Sequence, residues 1–212
     1  MESREKKIYR TTLAGSVINF LLLVLKFVAG ILANSAAMLA DAVHSLSDFV
    51  TDIIVVVFVH ISSKPQDEDH SYGHGKYETL ATAIIGALLM VVGAGIFYNG
   101  ACDVWKVING GTLSQPGYLA LAAALISIVL KELLYRYTRM VGRTVQSSAL
   151  EANAWHHRSD ALSSIGTALG IGGAIFLGGS WRILDPIAAI VVSIFIIRVA
   201  YKLLTPCIDE LL

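Results

Sequence analysis

Two pairs of residues with metal-ligating side chains recur at one spacing: His44 with Asp48, and His156 with Asp160. Each pair is four positions apart, so on a helix its members stand one turn apart on the same face. Asp41 and Asp52 continue the first stripe, a turn before and a turn after. Both pairs sit inside apolar runs long enough to cross a membrane, where each ionisable group costs about 2.5–3.5 kcal/mol on insertion scales. One imidazole and one carboxylate from each of two helices make an N2O2 set for a divalent cation. Zn²⁺ fits that set best, Fe²⁺ and Co²⁺ are alternatives, and Mn²⁺ prefers more oxygen-rich sets. The competing reading is a local hydrogen bond inside each pair. It accounts for one pair better than for two of matched spacing.

The elements that must position these residues are membrane helices. The chain of 212 residues is 55% hydrophobic and only 15% charged, against roughly 25% charged in soluble domains. The composition predicts an all-α integral membrane protein, a bundle of six transmembrane helices. The helices are expected at residues 8–32, 36–61, 77–107, 118–141, 147–177 and 183–204, forming one transmembrane domain. The basic N-terminus leads into an apolar run too long for a signal peptide, so it reads as a retained first helix. Ser35 is placed as the N-cap of the second helix, and the fifth begins near Ser147. Pro186 stands in the first turn of the sixth, and Pro206 marks its end.

Six spans put both termini on one side. That side holds Arg4, Lys6, Lys7, Arg10, Lys64, Lys76, Arg136, Arg139, Arg143 and Lys202, whereas the other holds Lys106 and Arg182. Both termini are therefore expected in the cytoplasm. His44 lies nine positions after Ser35, and His156 nine after Ser147. At 1.5 Å per residue each is ~13–14 Å into its helix. In a hydrocarbon core of ~30 Å, antiparallel helices then carry both pairs near the midplane.

Other polar residues receive second-rank roles. Asp41, Asp52 and Asn153 are outer partners or pathway groups, because metal-bound imidazoles need a partner for the second ring nitrogen. His157 points about 100° away from His156 and is structural or on an access path. Lys26 pairs with a carboxylate or snorkels. Lys131 shares a face with Tyr135, and Glu132 with Arg136, giving structural pairs on the fourth helix. In the polar stretch 62–76, Asp67, His70 and His74 form either an exchangeable metal site or part of a solvated charge run. Cys102 and Cys207 are read as buried thiols outside any Cys-x-x-Cys motif.

Together, the six spans, the two His-x-x-x-Asp motifs and the sequence His70-Ser-Tyr-Gly-His-Gly-Lys-Tyr-Glu78 resemble the cation diffusion facilitator family over the whole chain. The resemblance implies a homodimeric metal/proton antiporter exporting divalent cations from the cytoplasm across the cell membrane, the inner membrane in a Gram-negative source. By position His44, Asp48, His156 and Asp160 look like the family's transport site, and Asp67, His70 and His74 like its loop site. Lys76 and Asp209 match a charge interlock near the dimer interface. The small residues of the third helix, Gly86 to Gly95, are candidate dimer contacts or intrachain packing positions. Members typically continue into a cytoplasmic αββαβ domain, and the sequence stops where that would begin, so only the membrane domain is expected.

A net charge of zero gives no basis for a nucleic-acid partner. An intramembrane metalloenzyme would need a motif such as His-Glu-x-x-His, and neither that nor Gly-x-Ser-x-Gly stands out. A metal-binding membrane protein without transport is the other alternative. No Gly-x-x-x-x-Gly-Lys-Ser/Thr is present to power export. Protons are therefore the expected counter-ion: an imidazole binds metal only when neutral, so proton and metal compete.

Overall fold

The computed structural model describes the backbone of residues 4–62 and 75–211. Side chains are described there except at 4, 5, 51–62, 75–78, 81, 148, 149, 152, 210 and 211. Among the described residues are six α-helices: α1 (Arg4–Leu32), α2 (Ala36–Ser62), α3 (Gly75–Ile108), α4 (Tyr118–Val145), α5 (Ser148–Phe176) and α6 (Leu184–Leu211). A single 3-10 turn, Gly179–Ile183, precedes α6. No strand occurs among the described residues.

The helix ends follow from local chemistry. Asn34 adopts a left-handed φ of 49° between α1 and α2. The Ser35 hydroxyl then accepts from the Met38 amide at 3.1 Å and donates to Asp185 at 2.6 Å. Asp185 also accepts from the Ala36 amide at 2.8 Å. One carboxylate thus caps α2 and ties it to the start of α6. Ser147 caps α5 by accepting from the Leu150 amide at 3.4 Å.

Three ends differ by a turn or more from the sequence reading, the start of α1 at Arg4 being one. α4 runs past Gly142 to Val145 and closes on Gln146 in the left-handed region, φ 51°. Gly142 is spent on close approach to α5, since a Cβ there would lie 3.1 Å from Leu150. Likewise Pro206 lies inside α6. A proline removes one helical hydrogen bond, yet the buried Cys207 beside it anchors the last turns. Cys102, by contrast, is exposed.

The helices pack as two units. α5 packs most extensively on α4, and α3 on α6, with α2 touching α1, α3, α5 and α6. One core joins Ala29, Ala37, Met38, Ala120, Ala124 and Ile171, and a second joins Ala40, Leu89, Ala189, Val192 and Ile196. Alanine and glycine bring backbones together where no water-driven attraction exists between helices. Gly86, Gly93 and Gly100 recur every seventh residue on α3. A Cβ at these positions would stand 2.8–3.0 Å from Leu204, Ile197 and Ile190 of α6. These glycines serve packing within the chain, and of the small residues considered for a dimer contact Gly95 faces open space.

The outside of the bundle is apolar. Leu13, Val17, Leu21, Val24 and Val28 of α1, and Leu80, Ile84, Leu88 and Val91 of α3, are exposed at helical spacing. The polar groups go inward, as a bilayer requires. Among the described residues α1, α3, α4 and α6 contain segments long and apolar enough to cross a membrane. α5 instead carries Glu151, Arg158 and Asp160, and packs against α4 and α6. The chain is a multi-pass helical membrane protein, and α2 and α5 carry the ligand-type residues.

Candidate metal centre

The helical register does on each of α2 and α5 what the spacing requires. His44 Nε2 lies 3.9 Å from Asp48 Oδ2, and His156 Nε2 lies 3.8 Å from Asp160 Oδ2. Both separations exceed hydrogen-bond length, so neither pair satisfies itself locally. Instead the pairs converge: one ligand atom each from His44, Asp48 and Asp160 lie within 4.8 Å of one another. Around a tetrahedral ion with bonds of about 2.1 Å, ligand atoms stand about 3.4 Å apart. The three groups need to close by about an ångström to hold one.

The fourth expected ligand stands back. The His156 side chain is 42% exposed and faces a cavity of about 840 Å³ that His44, Asp48 and Asp160 also line. The cavity extends along α5 and α6 past Gly166 and Val191 toward Gly170 and Leu184. Rotation of His156 on its own helix is the movement that would complete an N2O2 set. On His44, Nδ1 is buried without a hydrogen-bond partner, so the outer partner that a bound imidazole uses is not in place.

Two lysines define the electrostatics. Lys131, midway along α4, places its ammonium 2.6 Å from Asp160 Oδ2. Helical spacing sets Lys131 on one face with Tyr135, but the two do not pair. Tyr135 instead accepts from Arg139 at 2.6 Å and Arg158 at 3.0 Å, while Glu132 and Arg136 do pair, at 2.8 Å. The signal for Lys131 was its depth: an ammonium at mid-membrane needs a carboxylate, and the one on α4, Glu132, is taken by Arg136.

Lys26 of α1 holds Asp41 of α2 at 2.8 Å. Its ammonium also donates to Ser45 at 2.9 Å and Ser164 at 3.2 Å, and Ser164 donates to Asp41 at 3.1 Å. Asp41 is therefore committed to a buried pair linking three helices, one turn from His44. His157 is buried beside Gly15 of α1, both ring nitrogens without a partner. Asn153 is half-buried on α5 and does not line the cavity. Asp209 is exposed on α6. The side chains of Asp52 and Lys76, and the whole of Asp67, His70 and His74, lie outside the described residues.

Comparison with known proteins bears on this arrangement. Residues 12–212 match the family described as the cation efflux transmembrane domain. The chain is 36% identical to the manganese efflux system protein MneP of Bacillus subtilis, over 99% of this chain and 70% of that protein. It is 39% identical to metal tolerance protein C1 of Arabidopsis thaliana, over 93% of this chain and 43% of that protein. It is 36% identical to the magnetosome protein MamB of Magnetospira sp. (strain QH-2), over 88% of this chain and 61% of that protein. The chain thus spans less than two thirds of two of these three relatives.

Proposed function

The chain belongs to the cation efflux family, and on that premise we propose that it is the membrane domain of a secondary transporter exporting a divalent cation in exchange for protons. His44, Asp48, His156 and Asp160 form the transport site. The observation that carries this reading is the convergence of His44, Asp48 and Asp160 within 4.8 Å at the wall of a large cavity. Two helices more than a hundred residues apart supply these ligand types, and each group is otherwise costly at that depth.

Zinc is the proposed cargo, on the chemistry of two imidazoles with two carboxylates. Manganese is the second reading. The three ligands that lie together, with His156 apart, form an oxygen-rich set of the kind Mn²⁺ prefers, and a relative bears manganese efflux in its name.

Exporting a divalent cation against 100 mV, inside negative, costs about 4.6 kcal/mol, from ~2.3 kcal/mol per charge. Protons supply it by competition: neutral imidazoles take metal, and protons arriving from outside displace it. With the termini cytoplasmic, the cavity end at Gly170 and Leu184 is the outer end, and the site here is reached from outside. Asp67, His70 and His74 deliver metal from the cytoplasm, and Lys76 with Asp209 joins two copies of the chain. Reconstituted in liposomes, the protein should move Zn²⁺, and Mn²⁺ more slowly, when a pH gradient is imposed. Flux indifferent to the gradient would exclude proton coupling, and faster Mn²⁺ than Zn²⁺ would reverse the choice of cargo.

A further inference from the structure

We infer that Lys131 is a tethered competitor for the transport site: its ammonium occupies Asp160 when metal is absent and must be displaced for metal to bind. This rests on the transport-site reading above.

Three observations meet here. Lys131 Nζ lies 2.6 Å from Oδ2 of Asp160, and Asp160 is one of the three residues whose ligand atoms converge. The ammonium therefore holds the carboxylate that an ion would need. Second, Lys131 arrives from α4, outside both ligand-bearing helices, and Asp160 is its one hydrogen-bond partner among the described residues. An ammonium carries three donors, so Lys131 is held less completely than Lys26. Third, a small cleft is lined by Lys131, Asp48, His156, Asp160 and Asn19 of α1. The Asn19 Oδ1 in it is buried without a partner. A buried amide oxygen left unpaired is costly, and this one offers an acceptor to an ammonium pushed off Asp160.

Charge accounting gives the exchange a direction. Without metal, Asp48 and Asp160 are two like charges in a low-dielectric bundle, and Lys131 neutralises one. With a divalent ion bound, the two carboxylates are already balanced and the ammonium is a like charge beside the ion. The lysine therefore stabilises the empty site and destabilises the loaded one. A carrier that must release its cargo and return empty gains from both. Moving to Asn19 lowers the cost of the loaded state.

The test is isothermal titration of Zn²⁺ and Mn²⁺ into the purified protein in lipid nanodiscs, with His70→Ala and His74→Ala in every sample so that the midplane site alone is read. Lys131→Met should tighten binding about tenfold or more, ~1.4 kcal/mol, and slow metal release in stopped-flow exchange. Lys131→Arg should return affinity to within about threefold of the unaltered protein. Asn19→Ala should weaken binding in the unaltered protein and have no effect beside Lys131→Met. A purely structural lysine would have the opposite sign, since its loss would loosen the site. Unchanged or weaker binding in Lys131→Met overturns the inference while Asp48→Asn still abolishes binding. If Asp48→Asn leaves binding unchanged, the transport-site reading fails and the competitor with it. Should Lys131→Met not fold, the structure of the unaltered protein loaded with Zn²⁺ decides. Separation of Nζ from Asp160 beyond about 4 Å supports displacement, and a retained contact overturns it.

Discussion

Among the described residues the bundle contains two buried lysine–aspartate pairs, and they are built to opposite ends. Lys26 and Asp41 are each 1% exposed, and the ammonium has three acceptors: Asp41, Ser45 and Ser164. Lys131 and Asp160 are also buried, but among the described residues the ammonium has Asp160 alone, and that carboxylate also stands by His44, Asp48 and the cavity. The chemistry is the same and the surroundings differ. A pair whose donors are all taken fixes α1, α2 and α5 together. A pair with donors to spare, beside ligand atoms, can be exchanged for something else.

The largest effect expected from this contrast is on stability at the closed pair. Lys26→Met or Asp41→Asn alone leaves a buried charge uncompensated, and should cost about 3–5 kcal/mol, read as a lower midpoint in thermal unfolding in detergent. Replacing both with Lys26→Met and Asp41→Leu should recover most of that loss. Equal tolerance of single and double variants would show that the pair is not a closed unit.

At the open pair the effect moves from stability to binding. Asp160→Asn should weaken metal binding at least about 100-fold, or ~2.7 kcal/mol, by titration in nanodiscs. Unfolding should change less than at Asp41, because Lys131 can turn to Asn19. The two histidines should separate next. His44→Ala removes an imidazole already in place, so it should cost more than about tenfold in affinity, with His156→Ala smaller. The reverse order would mean that His156 swings in first. Ser164→Ala should be smallest, about 1 kcal/mol of stability for hydroxyl contacts within the network, with metal affinity unchanged.

How far the sequence foretold this arrangement depends on the range of each interaction. His44 with Asp48 and His156 with Asp160 were legible because four-residue spacing on a helix is local geometry. Glu132 with Arg136 was legible for the same reason. Ser35 announced the start of α2, since capping is a property of the first turn. Lys131 with Asp160 and Lys26 with Asp41 join different helices, and periodicity does not say which helix faces which. The residue pattern left Lys26 to pair or snorkel and set Lys131 beside Tyr135, and only packing assigned each its carboxylate. The glycines of α3 show the same limit: Gly86, Gly93 and Gly100 mark a close approach, and the partner proved to be α6 of the same chain. Pro206 misled for a related reason, because α6 continues past a residue that ends isolated helices.

The central claim is that one divalent ion is held jointly by α2 and α5. X-ray absorption at the zinc edge tests it most directly, on protein carrying His70→Ala and His74→Ala and loaded with one equivalent of Zn²⁺. Two imidazole nitrogens and two carboxylate oxygens at about 2.0–2.2 Å are predicted, with one imidazole lost in His44→Ala and one in His156→Ala. A zinc shell that neither substitution alters would contradict the account.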